Sequence, residues 1–443
     1  MKNRRIISFI LAAIMIFALL PIVSFAAPAD VASFAQLKAA LENPEVTQIR
    51  LINNIQMEKD KDITISPFKT SLVIEGNNHY LFQAESSKSS YSIQFDSSKS
   101  AIRNILIKDL IIYGRSKSGL IYIPTCSRYS DFTVTFDNID YNGPELIRAK
   151  YSNVVIKDSN ILVIPGYNDV TGYLAETANT TLEGTVVINK ESPSSFRTLF
   201  AVATKGSMII AQGADVTINN NTIGSTLRTS GFVFFARGSC AMRFENYSKF
   251  TYNGTSSFTF GCDTGTVYVG ENANVNILID GNIFFNEGLI SVRDAMIVDN
   301  NSTFKIIAAN NNNLFPVIEC QNRSTIMFNS PREVLIYNAS TKACNRGLAI
   351  GNTLNMDIRY NSINRLEYWI QNSTPYYNLR TPNYNWQNSS FSAAFNAYST
   401  LCTGVSKSAT TSSYMGLTPW TTNTSALKNV NVIRIAGRSY IEI

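Results

Sequence analysis

A repeated pattern of hydrophobic residues constrains the fold of this 443-residue chain more than any other feature. The pattern has hydrophobic residues at positions 0, 2, 8 and 10, with five turn-forming residues between the two pairs. Six copies fit it, and a seventh with a shorter turn runs from Leu182 to Ile188. The copies begin at Val154, Leu182, Met208, Met242, Val267, Met296 and Ile326. Their mean step is about 29 residues, and the alternation within each pair predicts β-strands rather than helices.

A third short strand is predicted before each later copy, as at Leu199–Val202 and Leu289–Val292. Helical solenoids need a spacing of 3.6, leucine-rich repeats have Leu and Asn positions that are missing here, and propeller blades have longer periods. The repeat therefore predicts an all-β fold, a parallel β-helix of three sheets with about 29 residues per coil. The template residues should point inward, and Asn and Gly in the turns should stack from coil to coil. In the first copy the inward residues would be Val154, Ile156, Leu162 and Ile164, with Val163 pointing outward.

Both ends of such a stack need a cover, because exposed strand edges promote aggregation. Ser33 and Gln36 form a capping box at the start of a short helix, Ser33–Glu42, which we expect to cover the first end. The sequence departs from the template after Tyr360, and the irregular part from about residue 361 is expected to cover the second end. We predict that residues 27–443 form a single domain.

The first 26 residues have the layout of a secretory signal peptide. A basic start at Lys2 is followed by the uncharged stretch Ile6–Leu20, and small residues precede a predicted cleavage between Ala26 and Ala27. The alternative is an uncleaved membrane anchor, since charge is absent as far as Phe25. We expect a secreted or cell-surface protein, attached to a membrane only if this segment is retained.

Composition argues against several classes of function. The formal charge of +6 is spread along the chain without a basic run, so nucleic acid is not indicated as a partner. The single histidine, His79, argues against His-rich metal sites, and its Gly-Asn-Asn-His context predicts a structural turn. Six cysteines without C-x-x-C spacing are expected to be buried thiols rather than a zinc or redox site, although disulfides stay open. No cofactor, metal site or catalytic residue is predicted.

Three segments resemble a known family. Ile74–Leu81 resembles the Ile-Asp-Gly-x-x-His-x-Leu segment that opens the pectate-lyase-like adhesive domain of Gram-positive surface proteins. Ile105–Gly114 is similar to the coil that follows it, and Phe136–Ile147 to the family's Asn-Val-x-Tyr-x-Gly-Pro-Gln-Leu run. The resemblance covers Phe34 to about Tyr360, and its closing strands are expected in Val430–Ile443. It implies a right-handed parallel β-helix that acts as an adhesive surface module rather than as a lyase.

We therefore expect an exported, non-enzymatic adhesin that binds a host or environmental glycan or a matrix protein. The alternative is a secreted polysaccharide lyase or glycoside hydrolase that acts on uronate polymers, and a third reading is a structural spacer. Family members usually carry a cell-wall sorting signal, but the chain has no Leu-Pro-x-Thr-Gly motif, so its mode of attachment is open.

Late aromatic residues are the candidate glycan contacts, because aromatic faces beside amides can stack on sugar rings. These residues are Trp369, Trp386, Trp420, Tyr376 and Tyr377. The other interpretation is that these rings plug the open end of the stack. If the chain were an enzyme, the third sheet would be the place for its chemistry, with Glu319, Arg293 and Arg237 as the catalytic candidates.

Overall fold

The computed structural model describes residues 27–58, 63–83, 92–96, 102–116, 118–124, 132–164, 172–191, 197–203, 205–221, 232–254, 259–280, 289–309, 317–320, 325–339, 348–350, 357–361, 363–370, 384–387, 399–403 and 430–437. Within these ranges no helix has both the length and the hydropathy needed to span a membrane.

The described chain is almost entirely β, with one helix, α1, at Phe34–Glu42. The strands are β1 Ala29–Val31, β2 Gln48–Leu51, β3 Ile55–Gln56, β4 Ile63–Thr64, β5 Leu72–Glu75, β6 Tyr80–Phe82, β7 Ile93–Gln94, β8 Asn104–Tyr113, β9 Ile121–Tyr122, β10 Thr133–Gly143, β11 Ile147–Lys157, β12 Asn160–Val163, β13 Gly172–Glu183, β14 Thr185–Lys190, β15 Arg197–Val202, β16 Ser207–Ile210, β17 Asp215–Asn220, β18 Phe232–Phe244, β19 Lys249–Gly254, β20 Thr259–Val269, β21 Asn274–Ile279, β22 Ile290–Val298, β23 Thr303–Ala308, β24 Ile318–Cys320, β25 Thr325–Asn329, β26 Glu333–Asn338, β27 Leu348–Ile350, β28 Asp357–Asn361, β29 Ile363–Ile370, β30 Tyr384–Gln387, β31 Ser399–Thr403 and β32 Val430–Gly437.

Strands β1 to β28 stack in parallel to form three sheets of one β-helix, which confirms the predicted fold class. The first sheet contains β1, β2, β5, β8, β10, β11, β13, β16, β18, β20, β22, β25 and β28. The second contains β3, β6, the ends of β8 and β10, β12, β14, β17, β19, β21, β23 and β26. The third contains β4, β7 and β9, then the starts of β11, β13, β18, β20 and β22 together with β15, β24 and β27.

The predicted inward positions form the core in six of the seven copies. Met242 and Phe244, for example, are 1% exposed, and Val267 and Val269 are fully buried. The first copy is an exception, and the prediction there was wrong for its second half. Ile161 and Val163 are buried, whereas Leu162 and Ile164 are half-exposed.

The cause of this exception is the short connection between β11 and β12. Only Asp158 and Ser159 separate these strands, whereas four residues separate β18 from β19. A change of one residue in the inward spacing moves every following side chain to the opposite face of the sheet. Val163 therefore enters the core, and Leu162 joins the outer face.

The turns between the first and second sheets contain a stacked row of residues in the left-handed backbone region. The row has Asn78, Asp109, Asn138, Asp158, Gly184, Gly213, Tyr247, Asn272, Asn301 and Ser330 on successive turns. Backbone hydrogen bonds connect its members to the next turn, as from the amide of Asn78 to the carbonyl of Asp109 at 2.8 Å. Side chains add to the stack, since Asn138 Nδ2 donates to Asp109 Oδ1 at 2.7 Å. The predicted stacking of turn amides is confirmed between Asn272 and Asn301, where Nδ2 of Asn301 donates to Oδ1 of Asn272.

Helix α1 begins with the predicted cap and packs its apolar face on the first turn of the stack. The Ser33 hydroxyl accepts from the amide of Gln36 at 3.4 Å, and Gln36 Oε1 accepts from the amide of Ala32 at 2.7 Å. At the other helix end the buried Lys69 ammonium donates to the carbonyl of Ala40 at 3.0 Å and to the carbonyls of Asn43 and Val46. Burial lowers the pKa of Lys69 to about 8, so its ammonium is still charged at neutral pH.

Antiparallel strands end the parallel stack at its far side. In the second sheet β32 pairs antiparallel with β26, and in the first sheet β31 pairs antiparallel with β28. Strands β29 and β30 then extend the pairing of β32. The sequence after Tyr360 therefore contributes strands that cover the last parallel edge, as predicted.

Candidate ligand-binding groove

The outer face of the second sheet carries an aromatic cluster over its first turns. Tyr80 and Phe82 lie on β6, and Tyr113 lies beside Phe82 on β8. The rings of Phe82 and Tyr113 stack with centroids 4.9 Å apart and planes within 8° of parallel. Tyr80 stacks on both, at 5.7 and 5.9 Å. The period-2 alternation of the strands places all three rings outside the core, where their apolar surface meets solvent.

The aromatic row ends abruptly at Tyr113. The next residues in the same register are Asn142 on β10, Leu162 on β12 and Asn189 on β14. Their side chains are shorter than a tyrosine, so the sheet surface falls away beyond the Tyr113 ring. The result is a groove of about 370 Å³. Its lining residues are Tyr80, Ile111, Tyr113, Asp140, Tyr141, Asn142, Asn160, Ile161, Leu162 and Asn189.

Amide groups provide the polar part of this groove. The Oδ1 of Asn142 is buried and has no hydrogen-bond partner among the described residues. Asn189 Oδ1 accepts from Asn219 Nδ2 at 2.9 Å, and Asn219 Oδ1 accepts from Asn253 Nδ2 at 3.0 Å. This amide ladder runs toward the groove and ends with the Nδ2 of Asn189 as its donor. The groove thus presents an acceptor and a donor on either side of Leu162.

The groove carries one acidic side chain and no basic one in its lining. Asp140 is exposed, and its Oδ1 accepts from Asn160 Nδ2 at 3.1 Å. Buried polar atoms normally have partners, so the acceptor on Asn142 is the atom most in need of a donor. Aromatic surface with a few placed polar groups is the usual lining of a small-molecule site. This arrangement suits recognition through stacking and hydroxyl hydrogen bonds.

Sequence reasoning missed this groove, although a signal was present. The outward alternation of Tyr80 and Phe82, followed by Tyr113 on the next coil, marks an aromatic row once the register is known. Because Leu162 was predicted to point into the core, the apolar residue at the centre of the groove was not recognised. The register of these early coils does not follow from the later repeat, whose first copy begins at Val154.

Most of the predicted site residues lie elsewhere or outside the described part of the chain. Trp369 lies on β29, which pairs with β32 at the closing end, and Trp386 lies on β30, which pairs with β29. The backbone of these two is described, but their side chains fall outside the described residues. Trp420, Tyr376 and Tyr377 lie outside the described residues altogether. Their role as glycan contacts stays a prediction.

The fallback catalytic residues fall on the third sheet and the corner that follows it. Glu319 on β24 is in register with Ser291 on β22, and Arg293 follows two residues after Ser291. Arg237 lies on β18, two turns away, and the side chains of Arg237 and Glu319 are outside the described residues. His79 lies in the turn that was predicted, where its amide donates to the carbonyl of Gly76 at 2.8 Å and its carbonyl accepts from Ile111.

The third sheet contains a cluster of one arginine and two carboxylates. Glu145 is 1% exposed, and its carboxylate accepts two hydrogen bonds from the guanidinium of Arg148, at 3.0 and 3.2 Å. Glu176 lies 3.8 Å from the same guanidinium. Burial alone would lower the pKa of Arg148, but the neighbouring Glu145 and Glu176 raise it. Both carboxylates therefore form ion pairs with Arg148.

Two further predictions concern metals and cysteines. Among the described side chains, no three His, Cys, Asp or Glu residues are grouped so that they could hold a metal ion. Cys240 is buried, and its Sγ donates to the carbonyl of Ala203 at 3.2 Å. The other five cysteine side chains lie outside the described residues, so their state stays a prediction.

Comparison with known proteins agrees with the sequence resemblance over the first turns. Residues 28–148 match a family model described as "Putative pectate lyase-like adhesive domain". The match is to an adhesive domain. It includes the predicted segments Ile74–Leu81 and Phe136–Ile147, and the resemblance is confirmed there. The aromatic row and Asn142 lie within the matched residues, whereas Leu162 and Asn189 lie beyond them.

Two solved structures show similarity over a larger share of the chain. One, titled "L. reuters 100-23 SRRP", is 15% identical with a TM-score of 0.48 and covers 69% of this chain and 94% of that chain. The other, titled "L. reuteri 53608 SRRP", is 16% identical with a TM-score of 0.33 and covers 73% of this chain and 95% of that chain. No curated protein matches the chain.

Proposed function

We propose that the chain is an exported, non-enzymatic surface adhesin that binds a glycan or a matrix glycoprotein through the groove beside Tyr113. The observation that carries the proposal is the combination of a stacked aromatic row with a buried, partnerless acceptor on Asn142. Both lie in the residues that match an adhesive domain model. A rigid sheet presents them, so little conformational entropy is lost on binding.

The proposal also accounts for the polar groups that surround the aromatic row. A lyase requires a device that stabilises charge developing on the substrate, commonly a metal or a cation. The groove lining offers amides, rings and one carboxylate instead. These groups bind hydroxyls but supply neither a cation nor a paired general acid and base.

A binding and turnover experiment tests this proposal against the enzymatic alternative. Purified protein is incubated with immobilised glycans and matrix proteins, and the recovered glycans are analysed by chromatography and by the absorbance of unsaturated uronates, with and without Ca²⁺. We expect retention on at least one ligand and unchanged ligand length. Shortened or unsaturated products that disappear with Glu319→Ala or Arg293→Ala would replace the adhesin with a lyase or hydrolase.

A further inference from the structure

We infer that the groove selects a neutral oligosaccharide, with one pyranose ring stacked on Tyr113 and the next over Leu162 between Asn142 and Asn189. The inference rests on the proposed function and names its ligand class. It excludes uronate polymers, the substrates of the enzymatic alternative, from this groove.

The ring face is available on one side of Tyr113. Phe82 covers one face of the Tyr113 ring in a nearly parallel stack. On the other side the register partner is Asn142, whose side chain is too short to continue the stack. A pyranose has an apolar face of C–H groups that can take the place of the next ring in such a row. The gain comes from hydrophobic burial and dispersion, as in an aromatic contact.

The polar groups are spaced for more than one sugar ring. Adjacent strands of the sheet lie about 4.8 Å apart, so Asn142 and Asn189, two strands apart, are separated by about 10 Å. That distance exceeds the width of a single pyranose. Asn142 provides an acceptor and Asn189 a donor, while the aliphatic side chain of Leu162 lies between them. Sugar hydroxyls act as both donor and acceptor, so a disaccharide unit can satisfy both amides.

The amide ladder increases the donor strength at Asn189. Its Oδ1 accepts from Asn219, which in turn accepts from Asn253, so the three amide dipoles are aligned. Hydrogen bonds in such a chain polarise one another. The donor end of the ladder at Asn189 is therefore directed to a neutral hydroxyl acceptor in the groove.

The charge of the groove disfavours uronates. Asp140 is the one ionisable acid in the lining, and no lysine or arginine lines the groove to pair with a uronate carboxylate. Placing a uronate carboxylate beside the carboxylate of Asp140 without a cation is unfavourable, because like charges repel. Asp140 can instead accept from a sugar hydroxyl in a charge-assisted hydrogen bond, since one of its oxygens is engaged by Asn160 and carboxylates have capacity for more.

Isothermal titration calorimetry of the purified protein tests the inference. The neutral probes are cellotetraose, mannotetraose and β-1,4-galactotetraose, and the charged probe is tetragalacturonate. We expect binding of at least one neutral probe and weaker or no binding of tetragalacturonate. Tyr113→Ala should weaken the neutral complex about tenfold, Tyr113→Phe should retain it, and Asn142→Leu should weaken it about fivefold. Tyr268→Ala, a half-buried tyrosine on the first sheet, is the matched control and should bind as the wild type does.

The exposed residue Asp140 provides a charge test that does not depend on the ring. Asp140→Lys should raise the affinity for tetragalacturonate at low salt, because it supplies the missing cation. Preference of the wild type for tetragalacturonate would overturn the inference and leave the proposed adhesin in place. Neutral binding that is unchanged in Tyr113→Ala would overturn both the inference and the groove as the binding site, and would leave only an adhesive role at another surface. Failure of the proposed function has a different signature, which is cleavage of the ligands or the absence of retention on every glycan and matrix protein.

Discussion

Residue conformation in the turns explains why asparagine, aspartate and glycine recur at one position of each coil. The left-handed backbone region costs an ordinary residue about 1–2 kcal/mol, and Asn, Asp and Gly are the residues that tolerate it. Tyr247 is out of place in this row, with a φ of 61° and a side chain that is 60% exposed. Its amide donates to the carbonyl of Glu271 at 2.9 Å, so the stack holds the backbone in this conformation.

We predict that Tyr247→Asn raises the free energy of unfolding by about 1 kcal/mol, because it relieves this conformational strain. Asn272→Ala, one turn further, should lower it by a similar amount, since alanine disfavours the conformation and the acceptor for Asn301 Nδ2 is lost. Equilibrium urea denaturation measures both. A decrease in stability for Tyr247→Asn would show that the tyrosine ring contributes more than its backbone costs.

A buried lysine makes stability depend on pH. Lys190 is fully buried inside the second sheet, and desolvation lowers its pKa to about 7. In the unfolded chain a lysine titrates near 10.4, so between these values the unfolded state binds a proton that the folded state does not. The free energy of unfolding therefore falls as the pH decreases from about 10 to about 7, and this group has no further effect on it below pH 7, where both states bind the proton.

We predict that Lys190→Met reduces the pH slope of stability between pH 7 and pH 10 by up to about 1.4 kcal/mol per pH unit. It should also stabilise the protein at pH 6. Urea denaturation at several pH values measures the slope, with Lys249→Met as the control, because Lys249 is exposed and pairs with Asp215 at 2.7 Å. An equal slope in wild type and Lys190→Met would contradict the buried neutral lysine.

In the strands, the Tyr-x-Gly-Pro-Glu segment at Tyr141–Glu145 packs two neighbouring coils tightly against each other. The hydroxyl of Tyr141 donates to the carbonyl of Glu145 at 2.5 Å and packs between Gly114 and Gly143. A Cβ on Gly143 would lie 2.5 Å from that hydroxyl and 2.7 Å from the Cα of Gly114. The motif on which the family resemblance rests therefore contributes to packing between coils, and the Glu145–Arg148 ion pair lies beside it.

We predict that Gly143→Ala destabilises the fold by about 2 kcal/mol through this close approach. Gly213→Ala is the control, because a Cβ there has nothing within 4 Å and only the positive φ of 71° is strained. Adding Tyr141→Phe should recover part of the loss in Gly143→Ala, since it removes the atom that clashes. Thermal unfolding of the single and double variants measures the coupling, and strict additivity would contradict the contact.

An alternating row of charges accompanies the first seven strands of the first sheet. In register order it contains Asp30, Arg50, Glu75, Lys108, Asp137, Lys157 and Glu183. Neighbours pair at Arg50–Asp30, 2.8 Å, and at Lys108–Glu75, 3.2 Å. The hydrogen bond with Glu75 raises the pKa of Lys108. Exposed pairs add little stability each, so the row serves mainly to favour the observed order of strands.

For the whole molecule, the repeat predicted the architecture because inward positions stack on themselves. The residue at each template position is buried in six of the seven copies and is therefore hydrophobic. The repeat can thus be recognised even though the loops between its copies vary in length. Register at a short turn does not follow from the template, which is why Leu162 and Val163 were assigned to the wrong faces. The groove exists because the aromatic row stops at Tyr113 and the next coil has Asn142 in the same register. This pairing follows from the register of the strands and not from the repeat.

Glycan binding in the groove beside Tyr113 is tested most directly by calorimetric titration of the wild type and Tyr113→Ala. The titrant is the glycan selected in the binding experiment, and the recovered glycan is then analysed by chromatography. We expect binding by the wild type, a loss of affinity of about tenfold in Tyr113→Ala, and a recovered glycan of unchanged length. Equal affinities in the two proteins would contradict the groove as the binding site. A shortened or unsaturated glycan would contradict a non-enzymatic adhesin.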